Sequence, residues 1–263
     1  MRTPLVFIHG LWIHSSSWNP WIDFFGQASY DATAPEWPGG AESVERARAN
    51  PEQAAGYGVR EIVDHYAKII ATLPAKPVVI GHSFGGLIAQ AILGKDLARA
   101  AVAIDAAPIK GVLALPFSAL RVASVALRNP ANLKKAVSLT PAEFRYGFGN
   151  MLSHEDSEEL FRRWTIPSPG RPLFQAAFAN FNPNAATKVD TANANRGPLL
   201  LIAGENDHTV PPAITRGTLK RYHRTPAITE LKEIPKRGHS LTIDKGWREV
   251  AQVALDWLKG RGV

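Results

Sequence analysis

Short apolar runs alternate with amphipathic helical patterns along most of this chain. Strand-like runs occupy residues 5–8, 31–34, 78–80, 101–104, 199–202 and 228–234. Between them, apolar residues recur at helical spacing, most clearly in 60–73 and 247–258. Short β-branched runs without alternation are typical of strands buried on both faces. The pattern therefore predicts an α/β fold with a mostly parallel sheet flanked by helices.

The strand pattern stops between residues 110 and 195. Helical pieces broken by prolines take its place, and they hold most of the phenylalanines together with Tyr146 and Trp164. The strand pattern resumes at Leu199 as though it had been interrupted. We therefore predict a core formed by residues 1–109 and 196–263, with residues 110–195 inserted as a helical cap over one edge of the sheet. Residues 37–57 are predicted to form a long loop.

Composition narrows the possible chemistry. The 263 residues include no cysteine, which excludes disulfides, thiolate nucleophiles, zinc–cysteine sites and iron–sulfur clusters. The net charge of +7 is spread along the chain without a basic-aromatic motif, so no nucleic-acid partner is expected. No window approaches 18 consecutive apolar residues and no signal-peptide pattern opens the chain. We expect no membrane span and a cytoplasmic location, while the oligomeric state stays open.

One serine stands at a junction between a predicted strand and a predicted helix. Residues 81–85 read G-H-S-F-G and fit the pattern G-x-S-x-G, with Ser83 at its centre. Glycines at 81 and 85 remove side chains that would collide in a sharp turn. Ser83 is therefore either an ordinary turn residue or a nucleophile whose hydroxyl is held above the carboxyl edge of the sheet.

A serine hydroxyl needs a base to take its proton, and the base needs a group that orients it. Asp207 follows the apolar run 199–202, and His239 follows the run 228–234. Parallel strands bring both loops to the sheet edge that carries Ser83. Other candidates remain at this point. Asp105 and Glu205 are alternative acids, and the alternative histidines are His208 and His223.

Four motifs together resemble the α/β-hydrolase superfamily, closest to serine esterases and lipase-like enzymes with a helical cap. They are H-G at 9–10, G-H-S-F-G-G at 81–86, G-E-N-D-H-T-V-P at 204–211 and R-G-H-S-L at 237–241. The resemblance implies Ser83 as nucleophile, His239 as general base and Asp207 as the orienting acid. It also implies an oxyanion hole formed by the backbone N–H groups of Leu11 and Phe84. Family members usually begin with two further strands that are missing here, so about six strands are expected.

The resemblance implies a serine hydrolase that cleaves carboxylic esters of small to medium, largely apolar substrates through an acyl-enzyme. The same residues also serve lactonases, thioesterases, C–C hydrolases, perhydrolases, cyanohydrin lyases and slow-turnover ligand receptors. The substrate pocket is expected to include Trp12 and the cap aromatics Phe144, Phe148 and Trp164, although packing within the cap is an alternative role for the latter three. The chain has no H-E-x-x-H, no P-loop and no G-x-G-x-x-G after a strand. We expect neither a metal nor a cofactor.

Overall fold

A six-stranded sheet forms the centre of the protein. The computed structural model describes residues 2–223 and 225–263. The strands of the sheet run in the order β2-β1-β3-β4-β7-β8, and every neighbouring pair is parallel. They are β1 (Thr3–Ile8), β2 (Tyr30–Thr33), β3 (Val78–His82), β4 (Ala100–Ile104), β7 (Leu199–Gly204) and β8 (Thr229–Ile234). The expected fold class, a mostly parallel sheet of about six strands, is confirmed.

Helices cover both faces of this sheet. The α-helices of the described residues are α1 (Asn19–Gln27), α2 (Val44–Ala49), α3 (Val59–Ala71), α4 (Phe84–Gly94), α5 (Phe117–Leu127), α6 (Pro141–Gly147), α7 (His154–Trp164), α8 (Arg171–Ala177), α9 (Pro212–Arg221) and α10 (Trp247–Gly260). Within the described residues, no helix combines the length and the apolarity that crossing a bilayer requires.

Two hydrophobic cores lie on opposite sides of the sheet. In β1, Val6 and Ile8 pack into one core with α3 and α4, while Leu5 and Phe7 pack into the other with α1 and α10. Successive side chains of a strand point to opposite faces, so a strand buried on both sides must be apolar at every position. The central strands β3, β4 and β7 are buried throughout. This explains why their runs do not alternate.

The helical insertion, residues 110–195, lies in the chain between β4 and β7. It contains α5 to α8 and a small antiparallel pair, β5 (Ala136–Val137) with β6 (Ser168–Pro169). Val122 and Val125 of α5 belong to the same core as α3 and α4. The division of the chain into a core and a cap stays a prediction.

The prediction of a long loop at residues 37–57 was wrong in part, because α2 and a short 3-10 turn at Pro51–Ala54 form there. Ser43 starts α2 by accepting a hydrogen bond from the Arg46 backbone N–H, as helix-capping serines do. Val44 and Ala47 bury their side chains against Ile166 of the insertion. Only six residues long, α2 offers too little periodicity to be recognised in the sequence.

Candidate active site

Ser83 occupies a strained turn between β3 and α4. Its φ of 56° and ψ of −123° are unusual for a residue with a side chain. The turn is tight because backbone groups approach closely on both sides. A Cβ at Gly81 would lie 2.1 Å from the carbonyl oxygen of Gly85, and one at Gly85 would lie 2.1 Å from that of Ile8. Only glycine fits at these two positions, which explains the G-x-S-x-G pattern.

His239 and Asp207 form a buried pair in the loops that follow β8 and β7. Nδ1 of His239 donates to Oδ2 of Asp207 at 2.6 Å, and neither side chain reaches solvent. The other carboxylate oxygen of Asp207 accepts the backbone N–H groups of Thr209 and Val210 at 2.6 and 2.9 Å. These bonds fix the carboxylate, and the carboxylate in turn fixes the orientation and the tautomer of the imidazole. Nε2 of His239 is buried and has no hydrogen-bond partner among the described residues.

A second carboxyl group, that of Asp105, lies beside this pair at the end of β4. Its Oδ1 accepts the Gly204 backbone N–H at 2.7 Å, and its Oδ2 is 3.9 Å from Nδ1 of His239. Burial, and then the carboxylate of Asp207, raises the pKa of Asp105 well above its usual range. Asp105 therefore keeps its proton to a higher pH than an exposed aspartate. The distances favour Asp207 as the acid that pairs with His239.

The other acid and base candidates lie away from this pair. The carboxylate of Glu205 accepts the backbone N–H of Lys236. The ring of His208 contacts the carbonyl of Tyr146 through Nδ1, and His223 is exposed at the end of α9. None of the three is hydrogen-bonded to His239. Of the candidate acids, Asp207 forms a hydrogen bond with His239, and Asp105 lies next nearest at 3.9 Å.

Two aromatic rings enclose the imidazole of His239. Phe148 meets it edge-on with ring centroids 4.7 Å apart, and the ring of His82 is 4.5 Å away. Burial, followed by the neighbouring His239, lowers the pKa of His82 well below its usual value. A neutral His82 would not repel the positive imidazolium that forms when His239 takes a proton.

The backbone at Leu11 and Phe84 adjoins Ser83, because Phe84 follows Ser83 in the chain and a Cβ at Gly10 would lie 3.3 Å from the Ser83 Oγ. Phe84 is the first residue of α4, so its N–H has no acceptor within the helix. Among the described residues, no hydrogen bond from the Leu11 N–H occurs either. Both residues line the same cavity as Ser83. The Phe84 N–H, at a helix start, is suited to binding a negatively charged oxygen, and the Leu11 N–H could add a second donor.

The loop that carries Leu11 is held by a cluster of two buried histidines, His9 and His14, and the half-buried Glu36. Nε2 of His9 lies 3.1 Å from Oε2 of Glu36, and Nε2 of His14 lies 3.1 Å from Oε1. The Ser15 backbone N–H also donates to Oε1 at 2.7 Å. Glu36 was not predicted from the sequence. The available signal was its place just beyond β2, at the sheet edge that carries Ser83.

The same loop is tied to the insertion through Trp12. The Trp12 backbone N–H donates to Oγ of Ser168 at 2.7 Å, and its indole N–H donates to the carbonyl of Val137 at 3.0 Å. Its own carbonyl accepts the Ile166 N–H at 2.9 Å. Trp12 adopts a φ of 67°, which is costly for a bulky residue and is maintained by these three bonds.

An apolar cavity of about 120 Å³ opens beside Ser83. Leu11, Trp12 and Phe84 form one side, and the other side comes from α5 and α8, including Ala119, Val122, Leu173 and Ala176. Of the four residues expected in the pocket, only Trp12 lines this cavity. Its far wall is made of aliphatic side chains, which the sequence did not single out although α5 is apolar over most of its length.

The three expected cap aromatics lie elsewhere. Phe144 and Phe148 are buried and stack on each other with ring centroids 5.1 Å apart. Trp164 is partly exposed, and the guanidinium of Arg163 lies over its ring. Phe148 packs edge-on against the ring of His239, whereas Phe144 packs against Phe148. Phe144 and Phe148 pack within the core, the alternative role considered for them, because large apolar side chains stabilise a small helical layer best when buried. Trp164 packs against this core at its edge.

One group of potential metal ligands occurs among the described residues. The ligating atoms of His82, Asp105 and His239 lie within 4.8 Å of one another, and all three residues are buried. His239 already uses Nδ1 to bind Asp207, and Asp105 already accepts the Gly204 N–H. These hydrogen bonds explain why the three side chains lie close together around His239.

The fold and this site together define an α/β-type hydrolase. The chain belongs to the alpha/beta hydrolase family, whose model matches residues 5–253. No curated protein sequence matches the chain significantly.

Solved structures share the fold over nearly the full chain. One is a monoacylglycerol lipase from Paleococcus ferrophilus, 22% identical with a TM-score of 0.68, covering 98% of this chain and 96% of that one. An extracellular alpha/beta-hydrolase from a Paenibacillus species is 17% identical with a TM-score of 0.71, covering 97% and 98%. A methylesterase from Arabidopsis is 15% identical with a TM-score of 0.67, covering 98% and 99%. At these identities the likeness shows the fold, and one fold hosts many reactions.

The Glu36 cluster predicts a pH-dependent contribution to stability. Burial acts to raise the pKa of Glu36, but the imidazole of His9, the hydrogen bonds with His9 and Ser15, and the imidazole of His14 outweigh it and lower the pKa from 4.5 to about 2. A lowered folded-state pKa stabilises the protein above the unfolded-state pKa, and this stabilisation is lost as the pH falls from about 4.5 to about 2. The shift corresponds to about 3 kcal/mol.

Glu36→Gln should remove this part of the pH dependence. Urea unfolding across that pH range should show a free energy of unfolding that falls less steeply for the variant than for the wild type. Glu52→Gln is the matched control, because Glu52 is exposed and pairs with no cation among the described residues. Equal pH dependence in all three proteins would refute the role assigned to Glu36.

Proposed function

We propose that this hydrolase cleaves carboxylic esters of small to medium, largely apolar substrates through an acyl-enzyme. The observation that carries the proposal is the buried Asp207–His239 pair at the sheet edge where the strained turn holds Ser83. In this proposal Ser83 is the nucleophile, His239 the general base and then acid, and Asp207 the residue that orients the imidazole.

The reaction would proceed in two balanced steps. Nε2 of His239 takes the Ser83 proton while Oγ attacks the ester carbonyl, and the N–H groups of Leu11 and Phe84 bind the oxyanion. The imidazolium then protonates the departing alkoxide, which leaves as an alcohol. Water attacks the acyl-enzyme with the same proton transfers in reverse, releasing the carboxylic acid. Nε2 of His239 has no hydrogen-bond partner among the described residues. It can therefore accept the Ser83 proton without first breaking another hydrogen bond, which supports this assignment.

The apolar cavity supports the choice of substrate class. Its walls offer aliphatic contacts to an acyl chain or an apolar alcohol, and they offer few polar groups to an ionic substrate. Similar structures include a monoacylglycerol lipase and a methylesterase, which fits ester chemistry at this fold. Residues 110–195, which supply α5 and α8 to the cavity, would serve as the cap over the core formed by 1–109 and 196–263.

A series of p-nitrophenyl esters from acetate to decanoate tests the proposal directly. Wild-type protein should turn over many times, and Ser83→Ala should lose about 10⁴-fold or more of kcat because no acyl-enzyme can form. Ser138→Ala, at an exposed serine, is the control and should retain full activity. A single burst of nitrophenol without turnover would instead support a slow ligand receptor. Inactivity of the wild type on every ester would overturn the proposal.

The two carboxyl groups beside His239 should differ sharply in their effect. Asp207→Asn should lower kcat by about 10³- to 10⁴-fold, because the amide can no longer orient the imidazole in the tautomer that accepts the Ser83 proton. Asp105→Asn should stay within about tenfold of the wild type, since asparagine resembles a protonated aspartate and can still accept the Gly204 N–H. Measurement of kcat for both variants decides the matter. The reverse order of losses would make Asp105 the acid.

A further inference from the structure

Large apolar side chains protrude from the start of the insertion. Leu113, Leu115 and Phe117 are 77%, 72% and 80% exposed. Residues 112–116 lie outside helix and strand, and Phe117 begins α5. The residues that alternate with the three exposed ones, Val112, Ala114 and Pro116, are buried or half-buried, so the three exposed side chains share the solvent side of the segment. We call Leu113, Leu115 and Phe117 the apolar ridge.

The apolar ridge stands at the mouth of the cavity that contains Ser83. Leu115 itself lines that cavity, as does Leu120 one turn into α5. Asn180 binds the backbone of Gly111 and Val112 through two hydrogen bonds, at 2.7 and 2.9 Å. These bonds hold the turn at Ala179–Phe181 beside the ridge, and they bring two further exposed rings, Phe178 and Phe181, into the neighbourhood. Exposed apolar groups clustered around a pocket mouth mark an interaction surface.

The charge of the same segment has a single sign. Residues 110–142 contain no aspartate or glutamate, and their cations are Lys110, Arg121, Arg128, Lys134 and Lys135. All of these except Lys110 are classed as exposed. Among the described residues, Lys134 and Lys135 have no carboxylate partner. Arg128 pairs with Glu143, just beyond this segment, at 3.4 Å. Exposed apolar side chains in a segment whose own charges are all cations favour a surface that is apolar within and anionic outside, which describes an anionic lipid layer.

We propose that the apolar ridge and the cations of residues 110–142 dock this protein onto an anionic lipid surface, so that apolar acyl esters pass from that surface into the cavity. The choice of ester substrates rests on the proposed function, whereas the docking does not. The cations attract the anionic headgroups, and the ridge side chains enter the boundary between headgroups and acyl chains. Leu115 then joins the lipid phase to the cavity wall that leads to Ser83.

Sedimentation with lipid vesicles tests the docking without any catalysis. The protein used is Ser83→Ala, which cannot consume a substrate. It should bind vesicles that contain equal parts of phosphatidylglycerol and phosphatidylcholine, and it should not bind pure phosphatidylcholine. Binding should weaken as salt is raised, because screening reduces the attraction between the cations and the headgroups.

Two sets of variants separate the apolar part of the surface from the charged part. Leu113→Ser with Phe117→Ser should weaken vesicle binding by about tenfold or more. Lys134→Gln with Lys135→Gln should weaken it by a similar factor on anionic vesicles. Ile228→Ser is the control, since Ile228 is an exposed apolar residue that precedes β8 and lies at the opposite, amino edge of the sheet. Neither ridge residue that is changed lines the cavity, so the same substitutions made with Ser83 intact should leave hydrolysis of soluble p-nitrophenyl acetate unchanged.

Three results would overturn the docking proposal. The first is that the protein binds neither type of vesicle, and the second is that it binds equally well after the ridge substitutions. The third is that the ridge substitutions convert a dimer into a monomer in gel filtration while vesicle binding is absent, which would assign the ridge to a second copy of the chain. Vesicle binding by a protein that hydrolyses no ester would leave the docking standing and refute the proposed function instead.

Discussion

The close approach of α4 to the end of β1 determines how the rest of the site is built. Without a side chain at Gly85, the first turn of α4 packs directly against the carbonyl of Ile8. That contact sets where Ser83 lies, and it also sets where the chain leaves β1 toward Leu11. Ser83 and Leu11, the proposed nucleophile and one proposed oxyanion donor, are more than seventy residues apart in sequence, and this one backbone contact positions both.

Burying polar groups at the same edge of the sheet costs free energy. Hydrogen bonds to the one charged group and neutral forms of its neighbours reduce that cost. Asp207 keeps its charge because His239 and two backbone N–H groups bind it. Its neighbours Asp105 and His82 are shifted toward their neutral forms. One carboxylate therefore acts on the imidazole without a second fixed charge competing for it.

Most of the fold and the core of the site could be predicted from sequence because they depend on local patterns. Buried parallel strands read as apolar runs, and the turn at Ser83 has a steric requirement that only glycine meets. The cavity wall depends on how α5, α6 and α8 pack, which no short pattern encodes, so Phe144 was expected in the pocket and lies in the core. Glu36 was missed because a charged loop residue looks solvated until its histidine partners are placed around it.

Three hydrogen bonds join Trp12 to Ser168, Val137 and Ile166, and they tie the insertion to the loop of Leu11. A hinged flap that swings off the sheet would have to break all three bonds and would relax the strained backbone at Trp12. These bonds therefore resist movement of the insertion as a separate flap. Partial unfolding of the insertion would break them and so release the backbone at Leu11 and Trp12 while the sheet is still folded.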